Sequence, residues 1–278
     1  MVSPAMSGNE RRPPEDSASL KLRRAQHHFD ELERIVAEYL ASGPYEVDTK
    51  RDPNSRRLLY KIAKIHPFPS EIPGVLGDVL HNLRTTLDHL AYRLVYDSTG
   101  VAPPTHIYFP IADSEADYRH RRDRQLQGAS ADAIVAIDEM KPYRGGNDDL
   151  WRLHRLDIVD KHRRILLAGM ALRSINIGPQ MIHQLNEVIA ANFDSEASWQ
   201  VPSMNLFIRP ADRMFPLRVG DTIFSDLPDS TPSGRYQFVF ELALSDEDTI
   251  IGEPIPAVLQ PMIEQVKHAI GTLAKFFP

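Results

Sequence analysis

The sequence predicts an α+β chain, a helical layer packed on an antiparallel sheet. Three observations carry that expectation. Through residue 164 the long segments repeat their apolar residues every three or four positions, the period of a helix with one buried stripe. From 165 to 250 the apolar residues come in short runs cut by Pro, Gly and Asp, as strands and turns do. From Pro256 the helical period returns and closes the chain. With 278 residues, 42% hydrophobic and 25% charged, there is material for one sizeable core, and 17–278 reads as a single α+β domain.

The elements follow in order. Residues 1–16 are polar and proline-rich, so a disordered tail is expected there. Over 17–41, Leu22, Ala25, Phe29, Leu32, Val36 and Tyr39 make one apolar seam, with Ser17 or Ser19 to cap its start and Gly43-Pro44 to end it. PYEVDTKRDPNSRRLLYKIAKI has alternating apolar residues around the turn chemistry of DPNS, which predicts a hairpin. HPFPSEIPG is a proline-rich connector. The helix after it should start near Pro73 or Gly74 and end before Ser98-Thr99-Gly100. HIYFPI suggests a short strand, and 114–124 and 130–140 short helices. A helix over about 148–164 can be capped by Asn147 or Asp148. ILLAGMALRSINIG, NLFIRP, FPLRVGDTIFSDL and RYQFVFELAL read as strands, while QMIHQLNEVIAANF fits helix or strand. A final helix spans about 256–277, with Pro256 suited to its first turn.

Composition removes several classes of function. There is no cysteine, so disulfides, thiol chemistry and cysteine-held metals are excluded, and a reducing cytoplasm is the expected compartment. No run approaches the roughly 18 apolar residues of a membrane span, and the N-terminus lacks a signal-peptide core. The net charge is −6; residues 1–170 hold 25 basic and 25 acidic side chains, residues 171–278 hold 7 and 13. A general polyanion binder would be basic. A local basic patch, chiefly Arg119, Arg121, Arg122 and Arg124, is expected as a solvated helix face or loop. GxxxxGK[ST], GxGxxG and GxSxG are absent, so neither phosphate loops nor serine elbows are indicated, and no cofactor is expected.

Two segments carry the polar chemistry. In the helix that carries GDVLHNLRTTLDHLAYRLV, Leu76 just before that stretch and Leu80, Leu83, Leu87, Leu90, Ala91 and Leu94 within it share a core face at about 100° per residue. His81, Arg84 and Asp88 lie on one flank; Asp78, Asn82 and His89 lie on the other, where they could converge on a ligand. Arg84 and Asp88 are spaced to pair within the helix. In LWRLHRLDIVDKHRRILL the apolar residues surround the helix, as in a buried one, so its charges need partners. Arg155 and His162 are two turns apart and about 20° from each other. They could hold an anion and move a proton, or they could be a paired arginine and a satisfied core histidine. His81, Asp88, His89, His154, Asp157, Asp160 and His162 would suffice for a metal-dependent hydrolase if the two helices adjoin. No HExxH or HxH spacing supports that, and no metal is expected.

RTTLDH (Arg84 to His89) and RLDIVDKH (Arg155 to His162) resemble the R-x(4–6)-H motif of HEPN-domain proteins. GDVLHNLRTTLDHLAY with DKHRR also resembles a group of bacterial proteins of similar length that brings no assigned activity. The HEPN likeness implies a helical bundle acting as a metal-independent RNA endonuclease of a defence or toxin system, its site completed by a homodimer. Arg155, His162, Arg84 and His89 would be catalytic, the histidine acting on the 2′-hydroxyl or the leaving 5′-oxygen and the arginine on the phosphorane charge. Asn82, His81, Asp88 and Asp160 would touch the RNA. The likeness covers these short segments alone. Leu156 stands where the family usually has a polar residue, and the strand-rich third has no counterpart in a minimal bundle. The alternative that the residues support is a non-catalytic binding or scaffold protein with a structural His/Arg/Asp network.

Overall fold

A computed structural model describes residues 17–162, 167–177, 206–208, 215–229, 236–246 and 250–277. They form an α+β chain that divides into two compact units. The helical unit takes the described residues of Met1–Glu33, Glu71–Leu166 and Pro256–Pro278; the sheet unit takes those of Arg34–Ser70 and Leu167–Ile255. Among the described residues, no helix is long and apolar enough to cross a membrane.

In the sheet unit, β1 (Tyr45–Arg51) and β2 (Arg57–Ile65) make the expected antiparallel hairpin. Asp52 closes its turn, accepting from the Asn54 N–H at 3.1 Å and the Ser55 hydroxyl at 2.5 Å, the local bonding for which Asp and Ser are favoured in turns. Leu58, Tyr60 and Ile62 alternate inward. β2 also pairs with β5 (Thr222–Pro228). The second sheet has the order β4-β3-β6-β7, with β3 Leu167–Ile177, β4 Leu206–Ile208, β6 Tyr236–Asp246 and β7 Ile250–Pro254. Rings from both sheets meet: Tyr60 lies 5.8 Å from Phe224 and 5.4 Å from both Tyr236 and Phe238. QMIHQLNEVIAANF lies outside the described residues.

The helical unit holds α2 (Glu71–Thr99), α3 (Glu115–Gln125), α4 (Ala131–Glu139), α5 (Asp148–His162), α6 (Ile255–Leu273) and the first part of α1 (Ser17–Ala41). Ser114 and Ser130 cap α3 and α4. Asn147 caps α5, its amide oxygen 3.1 Å from the Leu150 N–H. The helix expected to reach 164 is described to His162.

Three expectations change. α2 begins at Glu71, ahead of Pro73, because a proline in the first turn removes an N–H that has no intrahelical partner. It continues through Thr99, whose hydroxyl bonds the Val95 carbonyl at 2.7 Å, and stops at Gly100 with φ +69°. HIYFPI forms no strand; the nearest ladder element is an isolated bridge from Ala112 to Tyr143. Side chains take its backbone groups instead. Arg84 donates to the Phe109 carbonyl at 2.9 Å, Asp88 accepts from the Phe109 N–H at 3.0 Å, and Arg121 donates to the Ile111 carbonyl at 3.1 Å. Buried backbone groups need partners, and these supply them without a neighbouring strand.

Candidate functional site

α2 is the frame of the site. Its leucine face is sealed: Leu76, Leu80, Leu83 and Leu87 are fully buried. Polar side chains are buried as well. Asn82 is turned onto its own helix, its amide donating to the Asp78 carbonyl at 2.8 Å, and Thr86 donates to the Asn82 carbonyl at 2.8 Å. Asn82 therefore closes a local bond rather than facing a ligand.

α5 runs antiparallel alongside α2, and three rungs mark their contact. A Cβ on Gly77 would lie 2.6 Å from an Asp160 carboxylate oxygen. His81 Nδ1 is 3.7 Å from Asp157 Oδ1, with the imidazole half exposed and the carboxylate buried. Arg84 acts on His154. Arg84 of α2 thus stands close enough to His154 of α5 to act on its charge. Arg155 lies half-buried beside His154. The His162 side chain lies outside the described residues, so its pairing with Arg155 does as well.

Two environments flank Arg84. On one side is a hollow of about 470 Å³. α2 gives it Thr85, Asp88, His89 and Tyr92; the connector gives Ile107 and Tyr108, and α1 gives Ser17. Spacings of three and four residues place the α2 group on one stripe, opposite Leu83. The connector roofs that stripe because Asp88 holds the Phe109 N–H. Burial holds the His89 ring below the usual histidine range; Lys21 pushes the same way, and the Ser17 backbone and Asp88 pull against both. The ring is therefore neutral at neutral pH.

On the other side the guanidiniums gather. Arg84 is 6% exposed; its Nη2 meets Asp88 Oδ1 at 2.9 Å, and its Nη1 has no hydrogen-bond partner. His154 is pushed down to about 3, first by burial and then by Arg84 and Arg121; Asp113 opposes them and Arg155 adds to them. Asp113 accepts from the Trp151 ring N–H at 2.8 Å, and Arg144 stacks over that ring at 4.9 Å. On α3, Arg119 pairs with Glu115, and Arg122 with Asp123 and Asp138, as a solvated helix face does.

Among the described residues no three His, Asp or Glu side chains gather around one point, and the His162 side chain lies outside them. His154, read in the sequence as a candidate metal ligand, and Arg121, read as surface charge, were missed as members of one cluster. Their spacing in the chain gives no signal of it. Thr85 and Tyr92 were missed although their spacing from Asp88 and His89 is legible.

Comparison with protein-family models, with curated proteins and with solved structures finds no match.

Proposed function

We propose that the helical unit is a small-molecule-binding module and that its ligand sits in the hollow over α2. The observation that carries this is the hollow's construction. Tyr92, Tyr108 and Ile107 provide apolar walls, while Thr85, Asp88 and the neutral His89 provide a few polar groups converging from one helix face. Ligand sites have this composition and a volume of this order. Asp88 is braced by Arg84 and by the Phe109 N–H, so one wall is set before a ligand arrives, which lowers the cost of binding.

Ligand-observed NMR with a panel of small aromatic and amphipathic molecules tests it. Binders are expected for the wild type and should be lost in Thr85→Trp, which fills the hollow while the chain keeps its melting transition. An empty panel, or binders indifferent to Thr85→Trp, overturns the reading.

A second reading, metal-independent RNA cleavage, comes from the R-x(4–6)-H resemblance and is favoured by a neutral histidine beside an open hollow. It asks more of Arg84, whose guanidinium is already engaged by Asp88 and a backbone carbonyl. Labelled RNA in EDTA separates the two: cleavage lost in His89→Ala or His162→Ala supports the nuclease, and intact RNA removes it.

A further inference from the structure

Thr85 borders the hollow over α2, and its hydroxyl lies 3.5 Å from His81 Nε2, one turn back on the same helix. On the other side of that ring, His81 Nδ1 is 3.7 Å from Asp157 Oδ1 on α5. Carboxylate, imidazole and hydroxyl thus follow one another, and the hydroxyl residue is the one on the wall of the hollow. The local fold explains the meeting. Residues four apart share a helix face, which sets Thr85 beside His81. Gly77, four residues before His81, has no side chain, so the Asp160 carboxylate of α5 can approach to where a Cβ would stand 2.6 Å from it. Asp157, one turn from Asp160 on the same face of α5, is thereby brought to His81.

The three groups differ in exposure as a nucleophile and its base require. The Asp157 side chain is 6% exposed and that of His81 is 50% exposed, while Thr85 is half-buried. A buried carboxylate at Nδ1 favours the tautomer that carries its proton there, which leaves the Nε2 lone pair for the Thr85 hydroxyl. That is the relation of base to nucleophile in acyl transfer, where such contacts are often long before substrate binds. On α6 the same spacing occurs without the carboxylate. Thr272 lies 3.4 Å from His268 Nε2, and among the described residues His268 has no ion-pair partner. A threonine beside a histidine is therefore ordinary on a helix; the carboxylate behind the ring and the hollow at the hydroxyl residue set Thr85 apart.

We infer that Thr85 is the nucleophile of an esterase site for small aryl esters, with His81 as its general base and Asp157 as the residue that positions His81, a role that rests on the hollow being the ligand site. The Thr85 oxygen bonds the ester carbonyl carbon while its proton passes to His81 Nε2. The carbon–oxygen bond to the phenol then breaks, the departing oxygen takes that proton, and the acyl group stays on Thr85. Water gives a proton to His81 and attacks the acyl carbon; the Thr85 oxygen leaves and regains the proton. Ester and water thus become phenol and carboxylic acid. Tyr92, Tyr108 and Ile107 are walls against which an aromatic leaving group packs, and the two tyrosines bring hydroxyl donors for the charge that develops on the carbonyl oxygen.

The test uses the full chain with p-nitrophenyl acetate and with 4-nitrophenylacetone, an uncleavable analogue in which a methylene replaces the ester oxygen. Release of nitrophenol should be saturable, and mass spectrometry of acid-quenched protein should place an acetyl group on Thr85. Thr85→Ala should abolish both, Thr85→Ser should keep both, and Thr272→Ala should change neither. His81→Gln should lower kcat about a hundredfold, a common worth of a general base. Asp157→Asn should lower kcat by about tenfold or more with KM unchanged, a split that partial unfolding would not give. Wild-type turnover in Thr85→Ala, acetyl groups on other side chains with none on Thr85, or full kcat in His81→Gln would each overturn the assignment. Absence of turnover would overturn it too, and ligand-observed NMR then decides the rest: a chain that binds 4-nitrophenylacetone without cleaving the ester keeps its binding site, whereas an empty ligand panel removes the site as well.

Discussion

His154 is the residue on which the electrostatics of the helical unit register most strongly. Its folded value of about 3 lies well under the ordinary histidine value of 6.5. Between those pH values the unfolded chain takes up a proton that the folded chain refuses. Stability should therefore be constant with respect to this group above pH 6.5 and fall as pH drops below it, by at most about 1.4 kcal/mol per pH unit. Urea unfolding from pH 7 to pH 4 measures the slope, and His154→Gln should remove about one proton's share of it. A residual slope is expected from His89, which shifts the same way. Gly77 gives a second test. Alanine in a helix interior is worth about 1 kcal/mol over glycine, but here its methyl would meet the Asp160 carboxylate at 2.6 Å. Gly77→Ala alone should forfeit that gain. In an Asp160→Ala background it should reappear, and a double-mutant cycle by urea unfolding reads the difference.

At the scale of elements, the connector from His106 to Asp113 takes its shape from side chains rather than from a ladder. Asp88 both receives the Phe109 N–H and faces Arg84. Asp88→Ala strips both and leaves a largely buried guanidinium without its carboxylate, which should cost about 3 kcal/mol. Asp88→Asn keeps an acceptor for the N–H and should cost less. Urea unfolding gives the energies, and faster hydrogen exchange at the Phe109 amide should accompany the first substitution; equal costs would place the whole value in the charge. The same connector marks where the sequence stops being legible. The leucine stripe of α2, the DPNS turn and the Asn147 cap are local patterns, and each is found in the structure. HIYFPI has a strand's composition, yet its backbone partners come from α2, 21 to 25 residues before it, and from α3, 10 residues after it. His154 is hidden for a related reason. Its surroundings come from the alignment of α5 with α2 and from α3, and periodicity within one helix cannot report a neighbour. The Thr85–Asp88–His89–Tyr92 stripe was visible as spacing, but its concavity depends on a roof that only the folded connector supplies.

At the scale of the molecule, the order of the chain matters more than the division into units. The helical unit is assembled from an early, a middle and a final segment, and the sheet unit from the two stretches between them. The helical unit therefore lacks part of its core until the last helix is made. On α6, Leu259, Met262, Val266 and Leu273 are fully buried, with Val258 and Ile263 at 2%. Gln265 bonds the Asn147 amide at 2.8 Å, and Phe277 lies 4.2 Å from the Arg93 guanidinium. At roughly 1.5–3 kcal/mol per large apolar side chain, these six contribute about 10 kcal/mol or more. That is comparable with the whole stability of a typical domain, about 5–15 kcal/mol. Removing residues 256–278 should therefore unfold the helical unit rather than soften it. Near-ultraviolet circular dichroism follows Trp151, which lies in that unit. The shortened chain should lose the Trp151 signal and its cooperative melt, whereas a truncated chain that kept both would show that the remaining helices close a core without α6.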